Sequence, residues 1–179
     1  MIDFTIPEEA KAVRDKVRAF VQSECHPAEE TCTADNFDET MAGLRSKARA
    51  QGLWCPFIPV EHGGMGLRPL ANALVQMELG ESHLGALSLN TQGPDDATML
   101  TLLEHGTDFQ KETFLKPLLN GEKRICYSMT EKAAGADATG MQTTAVLEGD
   151  EWVLNGEKWF SSSASVADIA VVMAKTDPD

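Results

Sequence analysis

Cys126-Tyr127-Ser128-Met129-Thr130-Glu131 leads through a small-residue turn and a meander to Trp159-Phe160-Ser161-Ser162-Ser163. Past Lys123 the apolar period shortens. Ile125 to Met129, Thr143 to Leu147, Glu151 to Leu154, Lys158 to Ser162 and Ile169 to Ala174 read as short β-runs. The turn dipeptides Gly149-Asp150 and Asn155-Gly156 punctuate them. The periodic segments upstream have helical spacing, so strands follow helices instead of alternating with them, which is the pattern of an α+β protein. The expected architecture is an all-α helical domain over residues 1–123, followed by an incomplete antiparallel β-domain over residues 124–179.

Working back from that boundary, Thr107-Asp108-Phe109-Gln110 is a capping-box sequence that opens a short helix through Leu115 and Leu118, ending at Asn120-Gly121. An apolar helix is expected from about Pro94 to Glu104, ended by Gly106, and another from Pro69 to about Leu79, carried by Leu70, Leu74, Val75 and Met77 and closed by Gly80. Leu53 to Leu67 holds Pro56, Pro59, Gly63, Gly64 and Gly66, too many breakers for regular structure. It should be an ordered loop packed by Trp54, Phe57 and Ile58. Met41, Leu44 and Ala48 share one face of a further helix, and Gly52 can turn left-handed at its end. Cys25 to Phe37, polar and carrying Pro27, reads as a connection. The first helix has Val13, Val17, Phe20 and Val21 as its stripe, with Thr5 and Glu8 placed for a capping box and Pro7 for the first turn.

Composition narrows the function. The 179 residues carry 28 acidic and 15 basic side chains, a formal net charge of −13. Such a field repels phosphate backbones and anionic lipid surfaces, which argues against nucleic-acid and membrane-surface binding. No apolar run is long enough to span a bilayer. Cys25, Cys32, Cys55 and Cys126 lack a C-x-x-C pair, and the histidines fall at spacings no compact metal motif uses, so reduced thiols and no metal are expected. Gly64-x-Gly66 lacks a third glycine and follows no expected strand, so it is not a dinucleotide fingerprint. The run from Asp168 to Lys175 is an apolar edge that normally needs a neighbour, and about 55 residues of meander are marginal alone. From this, the chain is expected to be part of a larger protein or to need a partner.

The residues alone leave two readings of the last third open. Thr130-Glu131, Gly135 and Trp159-Phe160 could be a strand end, a turn and the edge of a core. Alternatively, a strand running into a tight small-residue turn exposes backbone amides beside aromatic side chains, as a flat heteroaromatic cofactor requires.

The ordered set Ile58-Pro59-Val60-Glu61-His62-Gly63-Gly64-Met65-Gly66-Leu67, Phe114-Leu115-Lys116-Pro117-Leu118-Leu119-Asn120-Gly121-Glu122, Met129-Thr130-Glu131 with Gly135-Ala136-Asp137, and Leu154-Asn155-Gly156-Glu157-Lys158-Trp159-Phe160 resembles the acyl-CoA dehydrogenase family over nearly the whole chain. The resemblance implies FAD as cofactor, an acyl-CoA substrate and an electron-transfer flavoprotein as partner. It also implies a homodimer or homotetramer in the cytoplasm, or in the mitochondrial matrix of a eukaryote. Backbone groups around Tyr127 and Met129 and the Thr130 hydroxyl would face the flavin ring. Gly135 and Ala136 would lie near the cofactor phosphates or CoA, Phe160 beside the ring, and Ser162 near its reactive nitrogen. Asn90 and Gln92 fall where the family shapes its acyl pocket.

The family's proton-abstracting glutamate is expected in a C-terminal helical domain beyond Asp179, so Glu61, Glu131 and Asp137 receive no catalytic role. Lys132-Ala133-Ala134 replaces the usual Pro-Gly, and Ala136 replaces a serine, removing a hydrogen bond of roughly 1 kcal/mol. Ser163-Ala164 stands in place of Asn-Gly. Two competing readings are a non-catalytic module derived from such an enzyme that binds a partner chain, and a related acyl-CoA oxidase-like flavoprotein.

Overall fold

Val17 and Phe20 are fully buried on one face of helix α1 (Glu8–Phe20) in the computed structural model, which describes residues 5–177. Pro7, not Thr5, is the N-cap, and its carbonyl accepts from the amides of Ala10 and Lys11. The helix continues through a widened π-turn (Val21–Cys25) into α2 (His26–Thr31), so the connection expected over Cys25 to Phe37 is helical as far as Thr31. Pro27 has no N–H for an i→i−4 bond, and the wider turn just before it makes room for its ring. Tertiary bonds then hold α2: the Glu29 carboxylate accepts from the Ser82 hydroxyl and from the amides of His83 and Leu84.

Helix α3 (Phe37–Ala50) buries Met41, Leu44 and Ala48, as the spacing predicts. It ends in a Schellman motif, in which Gly52 at φ +67° donates to the Arg49 carbonyl and Leu53 N donates to the Ala48 carbonyl. The loop from Leu53 to Leu67 is ordered by its own backbone bonds, Met65 N to Cys55 O at 3.2 Å and Gly66 N to Ile58 O at 2.8 Å among them. A Cβ at Gly64 would overlap the Ile58 carbonyl, so glycine is required there. Trp54 and Ile58 are buried beneath this loop.

Helix α4 (Pro69–Leu79) forms where expected, but its buried face is Val75, Glu78 and Leu79, while Leu70 and Met77 are exposed. An ion pair fixes that rotation: Arg18 of α1 donates through Nε and Nη2 to Glu78 at 2.9 and 2.6 Å. The short helix α5 (Gly85–Ser88) was not foreseen. Helix α6 (Asp95–His105) matches the expected one and stops at Gly106. Thr107 and Gln110 complete the expected capping box, opening α7 (Asp108–Gln110), a second π-turn (Lys111–Leu115) and α8 (Lys116–Leu119), with Pro117 again just past the π-turn. The first compact unit ends at Leu119.

Among the described residues, the second unit, from Asn120, contains four strands: β1 (Ile125–Ser128), β2 (Thr144–Glu148), β3 (Glu151–Asn155) and β4 (Ile169–Val172). β2 and β3 pair antiparallel across Gly149-Asp150, with Gly149 at φ +64°. β1 and β4 pair parallel, Ile125 opposite Ile169, a direction that alternation within a strand cannot reveal. A bridge from Thr144 to Lys175 joins the end of β4's segment to β2. Lys158 to Ser162 is not a strand. Phe160, Ser161 and Ser163 have φ of +70°, +38° and +69°, and local turn bonds (Ser161 N to Trp159 O, Ala164 N to Ser161 O) replace a ladder.

Candidate functional site

Alternation along β1 buries Cys126 and Ser128 and leaves Tyr127 and Met129 exposed on the other face. The chain then turns at Thr130 and Glu131, and the segment Lys158 to Ser161 is bonded across this turn. Trp159 N donates to the Thr130 carbonyl at 2.8 Å, the Lys158 ammonium donates to the Met129 carbonyl at 3.0 Å, and the Ser128 hydroxyl donates to Ser161 Oγ at 2.7 Å. Phe160 is carried on this segment with 81% of its surface exposed. Because the segment is irregular, Trp159 does not sit opposite Phe160 as a strand would place it. Their rings meet edge to face, centroids 5.8 Å apart. Non-glycine residues at positive φ, clustered beside an exposed aromatic ring, are backbone held out of its preferred wells by its surroundings.

Glu131 is almost fully buried, and Lys158 Nζ lies 2.8 Å from its Oε1. The amides of Gln142 and Thr143 donate to the same carboxylate at 2.6 and 2.9 Å. Lys158 and these amides hold the Glu131 carboxyl well below the usual range, at about 2. The turn that follows is closed by Ala134 N and Gly135 N on the Glu131 carbonyl, with Gly135 at φ +47° and both Gly135 and Ala136 exposed. Asp137 accepts from the Thr139 hydroxyl at 2.6 Å, and that bond lowers its pKa.

The second unit thus brings Tyr127, Met129 and Thr130 together with the segment bearing Phe160 and Ser162, while Gly135 and Ala136 lie on the turn beyond Glu131. A cleft of about 810 Å³ opens beside Lys132, Gln142, Thr144, Asn155 and Glu157, and none of the sequence-predicted site residues lines it.

Asn90 and Gln92 belong to the first unit. Asn90 is buried at φ +55°, and its Nδ2 donates to the Leu118 carbonyl at 2.9 Å and to the Cys55 sulfur at 3.2 Å. Its side-chain amide is thus bonded within the interior of the first unit. Gln92 is half-buried, beside Thr91, whose hydroxyl accepts from Gln76 Nε2 at 2.7 Å. Burial pushes the nearby Cys55 thiol up to about 11, leaving it a poor nucleophile. Lys158 and the Ser128–Ser161 pair escaped sequence reasoning about the site, because no spacing rule links residues so far apart. The only hint was a lysine beside an aromatic pair.

No helix among the described residues is long and apolar enough to cross a membrane, and no three metal-ligating side chains among them converge.

The family description "Acyl-CoA dehydrogenase, N-terminal domain" matches residues 7–122, and "Acyl-CoA dehydrogenase, middle domain" matches residues 126–179. The short-chain-specific acyl-CoA dehydrogenase of Clostridium acetobutylicum is 35% identical over 180 residues, 98% of this chain and 46% of that protein. A subunit of the caffeyl-CoA reductase-Etf complex of Acetobacterium woodii is 34% identical over 170 residues, 95% of this chain and 44% of that protein. The solved structure of a glutaryl-CoA dehydrogenase from Mycobacterium smegmatis in complex with FADH2 aligns with a TM-score of 0.73 at 27% identity, over 96% of this chain and 44% of that one. The chain therefore spans less than half the length of each. With a helical unit followed by small sheets and both family descriptions matched over residues 7–122 and 126–179, the chain belongs to the acyl-CoA dehydrogenase family.

Proposed function

We propose that this chain forms the flavin-facing part of an FAD-dependent acyl-CoA dehydrogenase. The observation that carries the reading is the exposed Phe160 ring, held on strained backbone and bonded across the end of β1 next to exposed Tyr127 and Met129. Such a patch suits a flat heteroaromatic ring, which needs an apolar face and a polar edge together. FAD would supply the hydride acceptor for α,β-dehydrogenation of an acyl-CoA thioester to a 2-enoyl-CoA.

The chain's own residues bind and orient. Phe160 packs against the ring face, the Ser162 and Thr130 hydroxyls donate to its polar edge, and backbone groups of Tyr127 and Met129 flank it. Gly135 and Ala136 leave room for phosphates or CoA, and Gln92 shapes the acyl pocket while Asn90 supports it from within. Glu131 is unsuited as the base, because a carboxylate held near 2 by Lys158 and two amides is a weak proton acceptor. The relative named as a subunit of an Etf complex supports an electron-transfer flavoprotein as partner. Assembly as a homo-oligomer belongs to the same proposal.

Titration of FAD into the protein, followed by flavin fluorescence and visible absorbance, tests the reading. Weak but saturable binding is expected, reduced about tenfold or more in Phe160→Ala and unchanged in Trp152→Phe on the β2–β3 hairpin. Absence of any saturable signal would overturn it.

A further inference from the structure

The peptide between Met129 and Thr130 sits at the exit of β1, where the chain leaves the sheet and no ladder partner fixes its orientation. What fixes it is the Lys158 side chain, only 11% exposed, whose ammonium bridges the Met129 carbonyl at 3.0 Å and Glu131 Oε1 at 2.8 Å. A trans peptide is planar, with its C=O and N–H pointing in opposite directions. Drawing the Met129 carbonyl toward Lys158 therefore turns the Thr130 N–H to the opposite side. The next peptide is treated in the same way, since the Thr130 carbonyl accepts from Trp159 N at 2.8 Å.

Glu131 in turn keeps the ammonium in place. It is buried, anchored by the amides of Gln142 and Thr143, and Lys158 is its ion-pair partner among the described residues. A largely shielded ammonium held between a carboxylate and a carbonyl has little freedom to rotate away.

From this geometry we infer that Lys158 is a positioning residue: by gripping the Met129 carbonyl against buried Glu131, it aims the Thr130 amide at the cofactor edge and locks the Phe160-bearing segment to the end of β1. Lys158 touches neither cofactor nor substrate in this account and acts through the peptide it orients. The inference rests on the flavin-facing reading of this surface, and the mechanical part of it stands apart from that reading.

The test compares the wild-type chain with Lys158→Met, Lys158→Arg and, as a charge control, exposed Lys123→Met. FAD affinity should fall about tenfold or more in Lys158→Met with the far-UV spectrum intact, because a charge-assisted bond sets the donor's direction. It should recover to within about threefold in Lys158→Arg, which keeps donors for both acceptors, and stay unchanged in Lys123→Met. Equal affinity in Lys158→Met and wild type would overturn the inference.

Backbone order parameters are measured on the same proteins without FAD. Residues 129–131 should fall from about 0.85 in wild type to below about 0.6 in Lys158→Met, and unchanged values would also overturn the inference. If wild type binds no FAD, the proposed function fails and the order parameters still decide whether Lys158 is the clamp. If Lys158→Met unfolds the second unit, the double variant Glu131→Gln with Lys158→Met removes both charges of the ion pair and is read against the same two criteria.

Discussion

Replacing Asn90 separates a structural role from a substrate-binding one. Its Nδ2 donates to the Leu118 carbonyl at 2.9 Å inside the helical unit, and its backbone sits at φ +55°. Alanine removes the donor and leaves a carbonyl near the end of α8 without it, a cost of about 1–3 kcal/mol. Alanine also enters the left-handed region, where a Cβ unrelieved by local hydrogen bonding costs roughly 1–2 kcal/mol. Asn90→Ala should therefore destabilise the first unit by about 2–5 kcal/mol. Asn90→Gly keeps the first cost and relieves the second, adding back up to about 1 kcal/mol of unfolded-chain entropy, so it should be the milder change by about 1 kcal/mol. Urea unfolding followed by far-UV ellipticity, which the helical unit dominates, measures both. FAD affinity should be unaltered in whatever fraction remains folded. Asn90→Ala within about 0.5 kcal/mol of wild type would refute the structural assignment and return Asn90 to the candidate substrate contacts.

Two other expectations concern charge and close approach. The Glu131 carboxyl is depressed to about 2 from an ordinary 4.5, so the stability it contributes is fully present at neutral pH. That contribution is lost as pH falls from the ordinary value through about 2. A carboxyl NMR titration of Glu131 with a midpoint near 4.5 would contradict its ion pair with Lys158. Gly64→Ala should destabilise the helical unit by about 1–3 kcal/mol, because its Cβ overlaps the Ile58 carbonyl. Gly43→Ala on the exposed face of α3, with nothing within 4 Å of the new Cβ, should stabilise it by about 0.5–1 kcal/mol. Thermal unfolding of the pair with the same sign of shift would count against the loop geometry.

Much of the fold was legible because it depends on local chemistry. The Thr107–Gln110 box, Gly52 at the end of α3, the Met41–Leu44–Ala48 face and the Gly149-Asp150 hairpin all follow from residue type and spacing over a few positions. The failures share a different cause. Pro27 suggested a break, yet a π-turn before it and Glu29 bonds to residues 82–84 keep the chain helical. Val75 is buried as its spacing suggested, but Leu70 and Met77 of the same expected stripe are exposed, because the Arg18–Glu78 pair turns Glu78 and Leu79 inward with Val75. In the candidate site, Tyr127, Met129, Thr130 and Phe160 could be named from their order in the chain, and Lys158 could not be given its part.

The sequence by itself determined the order of helices and strands, the turn positions and the family, because periodicity, capping and motif order are properties of neighbouring residues. Only the tertiary structure decided that β1 and β4 run parallel, that Lys158 to Ser162 is an irregular pinned segment, and that Asn90 points inward. Each of these rests on bonds between residues roughly thirty or more positions apart, and partners at such distances are selected by folding and leave no period in the chain.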